Sequence, residues 1–143
     1  MTADFLLDDP PGATGNRWAV ALPAGMELLN ENQRLHWGKR SRLVAAIRNN
    51  AGWAARRARI PRLEKAHIVY VVHPSPRLRR RDPGNWAPSA KAAVDGLVDA
   101  GVLEDDNSTR LTGPDPRLGE PVPESRLVLH IWELVSPGVS GDS

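Results

Sequence analysis

The sequence predicts one compact α/β domain built on a mixed β-sheet with two main helices. Three observations predict it. Short β-branched or alternating runs fall at 17–24, 66–74 and 126–135; two longer segments between them carry apolar residues at three- and four-residue steps; and proline- and glycine-rich stretches separate the pieces. The chain of 143 residues suits one core, since a domain of this size buries roughly 68–70% of its unfolded surface.

The first strand is "RWAVALPA", 17–24, which alternates and is bounded by Gly and Pro. From Arg34 to Ala58 the apolar Leu43, Ile47, Ala51, Ala54 and Ala58 recur at helical spacing, while Lys39, Arg40, Arg42, Arg48, Arg56 and Arg57 fall mostly elsewhere. This predicts a long, basic, amphipathic helix that Gly38 or Gly52 can interrupt and Pro61 closes. "AHIVYVVHP", 66–74, predicts a central strand stopped by its proline. "SPRLRRRDPGNWAP" has no period and reads as a loop. "PSAKAAVDGLVDAG", 88–101, sets Ala90, Val94, Leu97 and Val98 on one side, opens on proline and ends at Gly101, which predicts the second helix. "TGPDPRLGEPVPES" reads as loop, and "RLVLHIWELV", 126–135, as the last strand. Residues 1–16 are expected to form a disordered lead and 136–143 a flexible tail, leaving 17–135 as the domain.

Composition removes several function classes. No apolar run reaches the roughly 20 residues of a membrane span, and the acidic, Pro/Gly-rich N-terminus does not read as a secretory signal, so a cytoplasmic address is expected. With no cysteine there is no disulfide framework, thiolate metal site or thiol nucleophile. Any metal must bind oxygen or imidazole. The formal charge of +2 conceals a partition: residues 1–81 hold 15 Lys and Arg against 6 Asp and Glu, and residues 82–143 hold 4 against 11. Such a partition suits a polyanion-binding face beside a metal-binding face, although solvated helix faces give the same pattern.

The second helix breaks local rules. Lys91 in its first turn and Asp99 in its last both oppose the helix dipole, at roughly 0.3–1 kcal/mol each, and Lys91 four residues before Asp95 is the weaker orientation of an ion pair. Such violations point to a site. A phosphate near Lys91 and the helix N-terminus, with metal ions among the aspartates, accounts for them. Magnesium needs only one or two protein carboxylates, the rest of its shell being water and phosphate oxygen. An arginine-rich loop beside aspartates is thus the minimum set for phosphodiester hydrolysis.

At these residues, "RRRDPGNWAPSAKAAVDGLVDAGVLEDD", the chain resembles the RusA-type Holliday-junction resolvases, especially their phage-borne branch. The likeness continues more weakly from "LLNENQRLHW" to "RLVLHIWEL", over about 17–135. It implies a homodimeric, metal-dependent endodeoxyribonuclease of DNA recombination and repair, using Mg²⁺ or Mn²⁺ and no nucleotide cofactor. It implies that Asp82 matches the first catalytic aspartate and Asp106 the last, with Asp105 beside it. Lys91 matches the functional lysine, displaced by the inserted "APS". One departure matters: the second aspartate of the family's Asp-x-Asp-Asn is Gly84 here. Either Asp95 or Asp105 stands in, or the chain binds branched DNA and cuts it poorly. Because Asp82 and Asp106 flank the helix, some 21 Å long, either residues 83–88 run back beside it or a partner subunit supplies one carboxylate.

A four-way junction presents two equivalent strands, which a twofold-symmetric dimer matches. Arg77, Arg79, Arg80 and Arg81, with Arg56, Arg57 and Arg40, are the expected phosphate contacts. Asn85 and Trp86, in the same loop, are also expected DNA contacts, although Trp86 either stacks on an unpaired base or anchors the loop. His36 is a helix cap or a DNA contact. His67, His73 and His130 read as strand residues, Glu104 as solvent-facing, and Trp18, Trp53 and Trp132 as core. A basic face meeting an acidic protein is the remaining reading.

Overall fold

In the central strand, side chains alternate between two apolar surfaces, and this dictates two unequal layers around one sheet. The computed structural model describes residues 7–76, 83–105, 107 and 109–136. In order they form β1 (Ala13–Ala21), α1 (Trp37–Arg57), β2 (Ala66–His73), a 3₁₀ turn (Pro83–Trp86), α2 (Ala87–Asp99), β3 (Leu111–Leu118) and β4 (Arg126–Leu134). The sheet order is β1-β4-β2-β3; β4 is antiparallel to both neighbours, and β2 is parallel to β3. The expected α/β architecture, with a mixed sheet and two helices, is what the chain adopts. Among the described residues no helix is long and apolar enough to cross a membrane.

Ile68, Tyr70 and Val72 of β2 and Leu127, Leu129 and Ile131 of β4 form the main core with Ile47, Ala51 and Ala55 of α1 and Ala93, Val94 and Leu97 of α2. On the other face Val69, Val71 and Trp132 make a smaller cluster, against which Leu7 and Ala13 pack. Residues 7–12, just before β1, are therefore part of the fold. Trp132 donates its indole N–H to the Asp9 carboxylate at 3.0 Å, and the Arg17 guanidinium lies 4.8 Å above the same ring. Residues 7–16, expected within a disordered lead, are held by this contact and by β1, which begins four residues earlier than predicted.

The stretch expected as loop contains an edge strand. Among the described residues β3, LTGPDPRL, pairs with β2 alone. Prolines have no N–H for a ladder, which argues against a central strand, but an edge strand needs partners on one side only. Its register with β2 slips between His67 and Val69. There Gly113 has φ +95°, and a Cβ would collide with the Ile68 carbonyl, so only glycine fits.

Both helices end in the same device. Beyond α1 the Ile60 N–H donates to the Ala55 carbonyl at 3.3 Å, and the Arg59 N–H to the Arg56 carbonyl at 3.0 Å. Beyond α2 the Val102 N–H donates to Leu97 and the Gly101 N–H to Val98, both at 3.0 Å. These are Schellman caps, whose turning residue is left-handed. Gly101 at φ 83° is suited to it; Arg59 at φ 56° is not.

Neither Gly38 nor Gly52 interrupts α1. Gly52 faces Gly96 of α2 so closely that a Cβ on Gly96 would collide with the Arg48 carbonyl and lie 3.0 Å from the Gly52 nitrogen. The helices cross there backbone to backbone. Two substitutions should therefore act in opposite senses. Gly96→Ala forces the helices apart and is expected to destabilise by about 1–3 kcal/mol. Arg59→Gly, which relieves the left-handed strain, is expected to be neutral or stabilising by up to about 1 kcal/mol. Urea unfolding midpoints check both.

Candidate functional site

Asp82, Asp106, Arg77, Arg79, Arg80 and Arg81 lie outside the described residues. Asn85, Trp86, Lys91, Asp95, Asp105, Arg40, Arg56 and Arg57 lie within them.

The 3₁₀ turn is fixed from two directions. From the sheet, the Tyr70 hydroxyl donates to the Pro83 carbonyl at 2.9 Å. From the segment before α1, the Glu31 N–H donates to the Asn85 carbonyl at 2.9 Å. Just beyond, the buried Ser89 hydroxyl donates to the Leu29 carbonyl at 2.7 Å and accepts the Leu29 N–H at 2.6 Å. That segment is itself braced: the Asn30 side chain accepts the Asn32 N–H at 2.8 Å, and Gln33 accepts the Asn30 N–H at 2.9 Å. Tyr70 and Ser89 were not legible as positioning residues. Their partners stand 13 and 60 positions away in sequence, and neither type is diagnostic at a strand or helix position.

Trp86 is 7% exposed and belongs to the main core. It anchors the turn and has no free ring face for a base, which corrects the stacking alternative. Its indole N–H is buried with no acceptor among the described residues, a cost of about 1–3 kcal/mol that burial of the large ring offsets.

Residues 83–88 do not run back beside the helix. The turn leads directly into α2, with Pro83 over Tyr70, while the Ala66 N–H donates to the Arg110 carbonyl. Four residue steps along β2, from Ala66 to Tyr70, separate those two points, about 13 Å along the strand.

On α2, Lys91 is the fifth residue, beyond the first turn where the dipole acts most strongly, so the expected penalty at this end is smaller. Its ammonium lies 3.1 Å from Asp95 Oδ1, both on the solvent side of the helix. Asp99 does oppose the dipole, and the structure answers with cations from α1. Arg48 grips its carboxylate through two hydrogen bonds, at 2.5 and 2.7 Å, and Arg56 donates to the Asp99 carbonyl oxygen at 3.2 Å. The hydrogen bonds from Arg48 hold the Asp99 carboxyl below the usual range; desolvation opposes them, and the charges of Arg48 and Arg56 add to the lowering. The same hydrogen bonds and charge raise Arg48. The misplaced Asp99 is thus explained by helix packing.

Similar neutralisation reaches the acidic run after α2. Arg62 and Arg110 approach Glu104 at 3.0 and 3.5 Å, and Arg110 stands 4.0 Å from Asp105. Glu104 faces solvent, as expected, and is also ion-paired. Asp105 also accepts the Asn107 N–H at 3.2 Å. Arg40 stands in the first turn of α1 and Arg57 in the last, both exposed, about 25 Å apart at 1.5 Å per residue. They cannot grip one phosphate cluster together. His36 accepts the Gly38 N–H at 3.1 Å and is the helix cap.

As metal ligands, Asp95 and Asp105 supply the hard oxygen that magnesium requires. Among the described residues no three acidic or histidine side chains converge, so these two do not make a centre by themselves. No protein-family model matches the chain, and no curated protein matches it.

The Arg48–Asp99 pair makes acid stability testable. A carboxyl lowered by folding contributes stability above its unfolded pKa, about 3.9, and loses it as pH falls through the lower folded value. The difference in unfolding midpoint between wild type and Asp99→Asn should be constant above about pH 5 and shrink below about pH 4. High salt should reduce it, because the pair is exposed.

Proposed function

We propose that the chain is a metal-dependent, structure-selective endodeoxyribonuclease of the RusA type, cutting four-way DNA junctions as a cytoplasmic homodimer by paired phosphodiester hydrolysis. The observation that carries this reading is the fixed turn at 83–89. Three separate tethers hold a stretch that leads from the arginine run of 77–81 straight into the helix bearing Lys91 and Asp95. Preorganisation of this kind is what a hydrolytic site needs, because a misplacement of about 1 Å can cost on the order of 100-fold in rate.

Asp82 and Asp106, with Asp105 or Asp95, would hold Mg²⁺ or Mn²⁺, whose chemistry there is to acidify water and stabilise the departing oxygen. The chain's own groups bind and orient the strand. Arginines 77, 79, 80 and 81 draw the backbone in by charge. Lys91 offers an ammonium to a phosphate oxygen by exchanging its contact with Asp95, and the N-terminal end of α2, which no side chain caps, favours the same anion.

Gly84 favours a second reading, in which the scaffold binds junctions without cutting them. Incubation of a synthetic four-way junction with Mg²⁺ or Mn²⁺ separates the two. Paired nicks by wild type, and a loss on the order of 100-fold or more in Asp106→Asn with binding retained, are expected for the enzyme. Binding without nicking by both proteins supports the scaffold instead. Tyr70→Phe should bind the junction normally and cut more slowly, because the turn loses its tether to the sheet.

A further inference from the structure

Among the described residues nothing packs on one face of α1. Arg42, Ala45, Asn49, Trp53 and Arg57 follow one another at three- and four-residue steps on the side away from the core, and all five are exposed. Trp53, expected in the core, is 67% exposed. A 21-residue helix with six Lys and Arg and no acidic residue carries it. Several of these cations have partners: Lys39 pairs with Glu27, Arg48 with Asp99, and Arg56 caps α2. Arg42 and Arg57, which bracket Trp53 and Asn49, form no ion pair among the described residues.

An exposed tryptophan on a helix invites a partner, and the charges decide which. Antiparallel pairing of this face with a second copy centres near Asn49 and sets Arg42 against Arg56 and Arg57; parallel pairing sets each arginine against itself. Both orders place like charges together with no acid to relieve them. A polyanion meets no such repulsion. We infer that the outer face of α1 binds DNA, with Arg42 and Arg57 on backbone phosphates and Trp53 stacked on a base left open at the branch point. Stacked duplex offers no free base face to an indole, whereas a branch point does, so Trp53 confers preference for branched over linear DNA. This choice of ligand rests on the DNA-processing reading above.

The test uses full-length protein with EDTA, a fluorescent four-way junction and a linear duplex of equal length. Trp53→Ala should weaken junction binding by about 5- to 150-fold, the range of one base–aromatic stack, and change duplex binding little. Trp53→Phe should restore most of the affinity. Arg42→Ala and Arg57→Ala should each lower the log–log salt slope by about 0.9 on both ligands. These positions are exposed, and circular dichroism verifies that the variants fold. Unchanged junction affinity in Trp53→Ala overturns the inference, as does an equal loss on both DNAs. So does dissociation of a dimer by Trp53→Ala, read by sedimentation, with DNA affinity intact. If wild type cuts junctions while Trp53→Ala binds them normally, this inference alone falls. If wild type binds in a Trp53-dependent way but does not cut, the nuclease reading falls and this one stands.

Discussion

The close crossing of α1 and α2 is the constraint on which the arrangement depends. Gly52 and Gly96 let two backbones touch, and the doubly hydrogen-bonded Arg48–Asp99 contact closes beside them. A side chain at that crossing would lift α2 from the sheet. The 3₁₀ turn would move with it, since Trp86 is in the same core and Ser89 is bonded to Leu29. Helix packing and the placement of the candidate site are therefore one problem. Small residues solve it by proximity, and a charged pair on the rim fixes the rotation.

The charge partition along the sequence takes on a different meaning in three dimensions. The basic first half supplies Arg48 and Arg56 to the end of α2, and Arg62 to the acidic run beyond it, where Arg110 joins. Much of the apparent surplus is consumed inside the molecule. Among the described residues, what is left without an ionic partner is smaller and better defined: the outer face of α1 and its first turn at Arg40.

Periodic elements were legible because their signals are local. β2 and α2 lie within a residue or two of their predicted bounds: proline stops the strand, and proline and Gly101 mark the helix. α1 was legible in extent, and His36 fixes its start. β3 was not, because the prolines that exclude a central strand are tolerated at an edge, and edge position is a property of the whole sheet. The pairing of Asp99 and the exposure of Trp53 were hidden for a related reason, and the same reason left Trp86 between two readings, of which anchoring is the one its burial supports. Whether a side chain is covered depends on which helix crosses it, and sequence spacing locates a face without saying what lies opposite. Tyr70 and Ser89 belong to the same class, being ordinary residues made important by distant carbonyls.

The proline-bearing edge has a consequence for assembly. A neighbouring chain cannot extend the sheet past β3 by regular ladder formation, since Pro114 and Pro116 withhold the donors that such an extension uses. The opposite margin, β1, is broken by an irregularity between Ala13 and Arg17. Continuous strand-to-strand fusion is thus disfavoured at one border and confined to a short span at the other, so association with another chain would have to use side-chain surfaces.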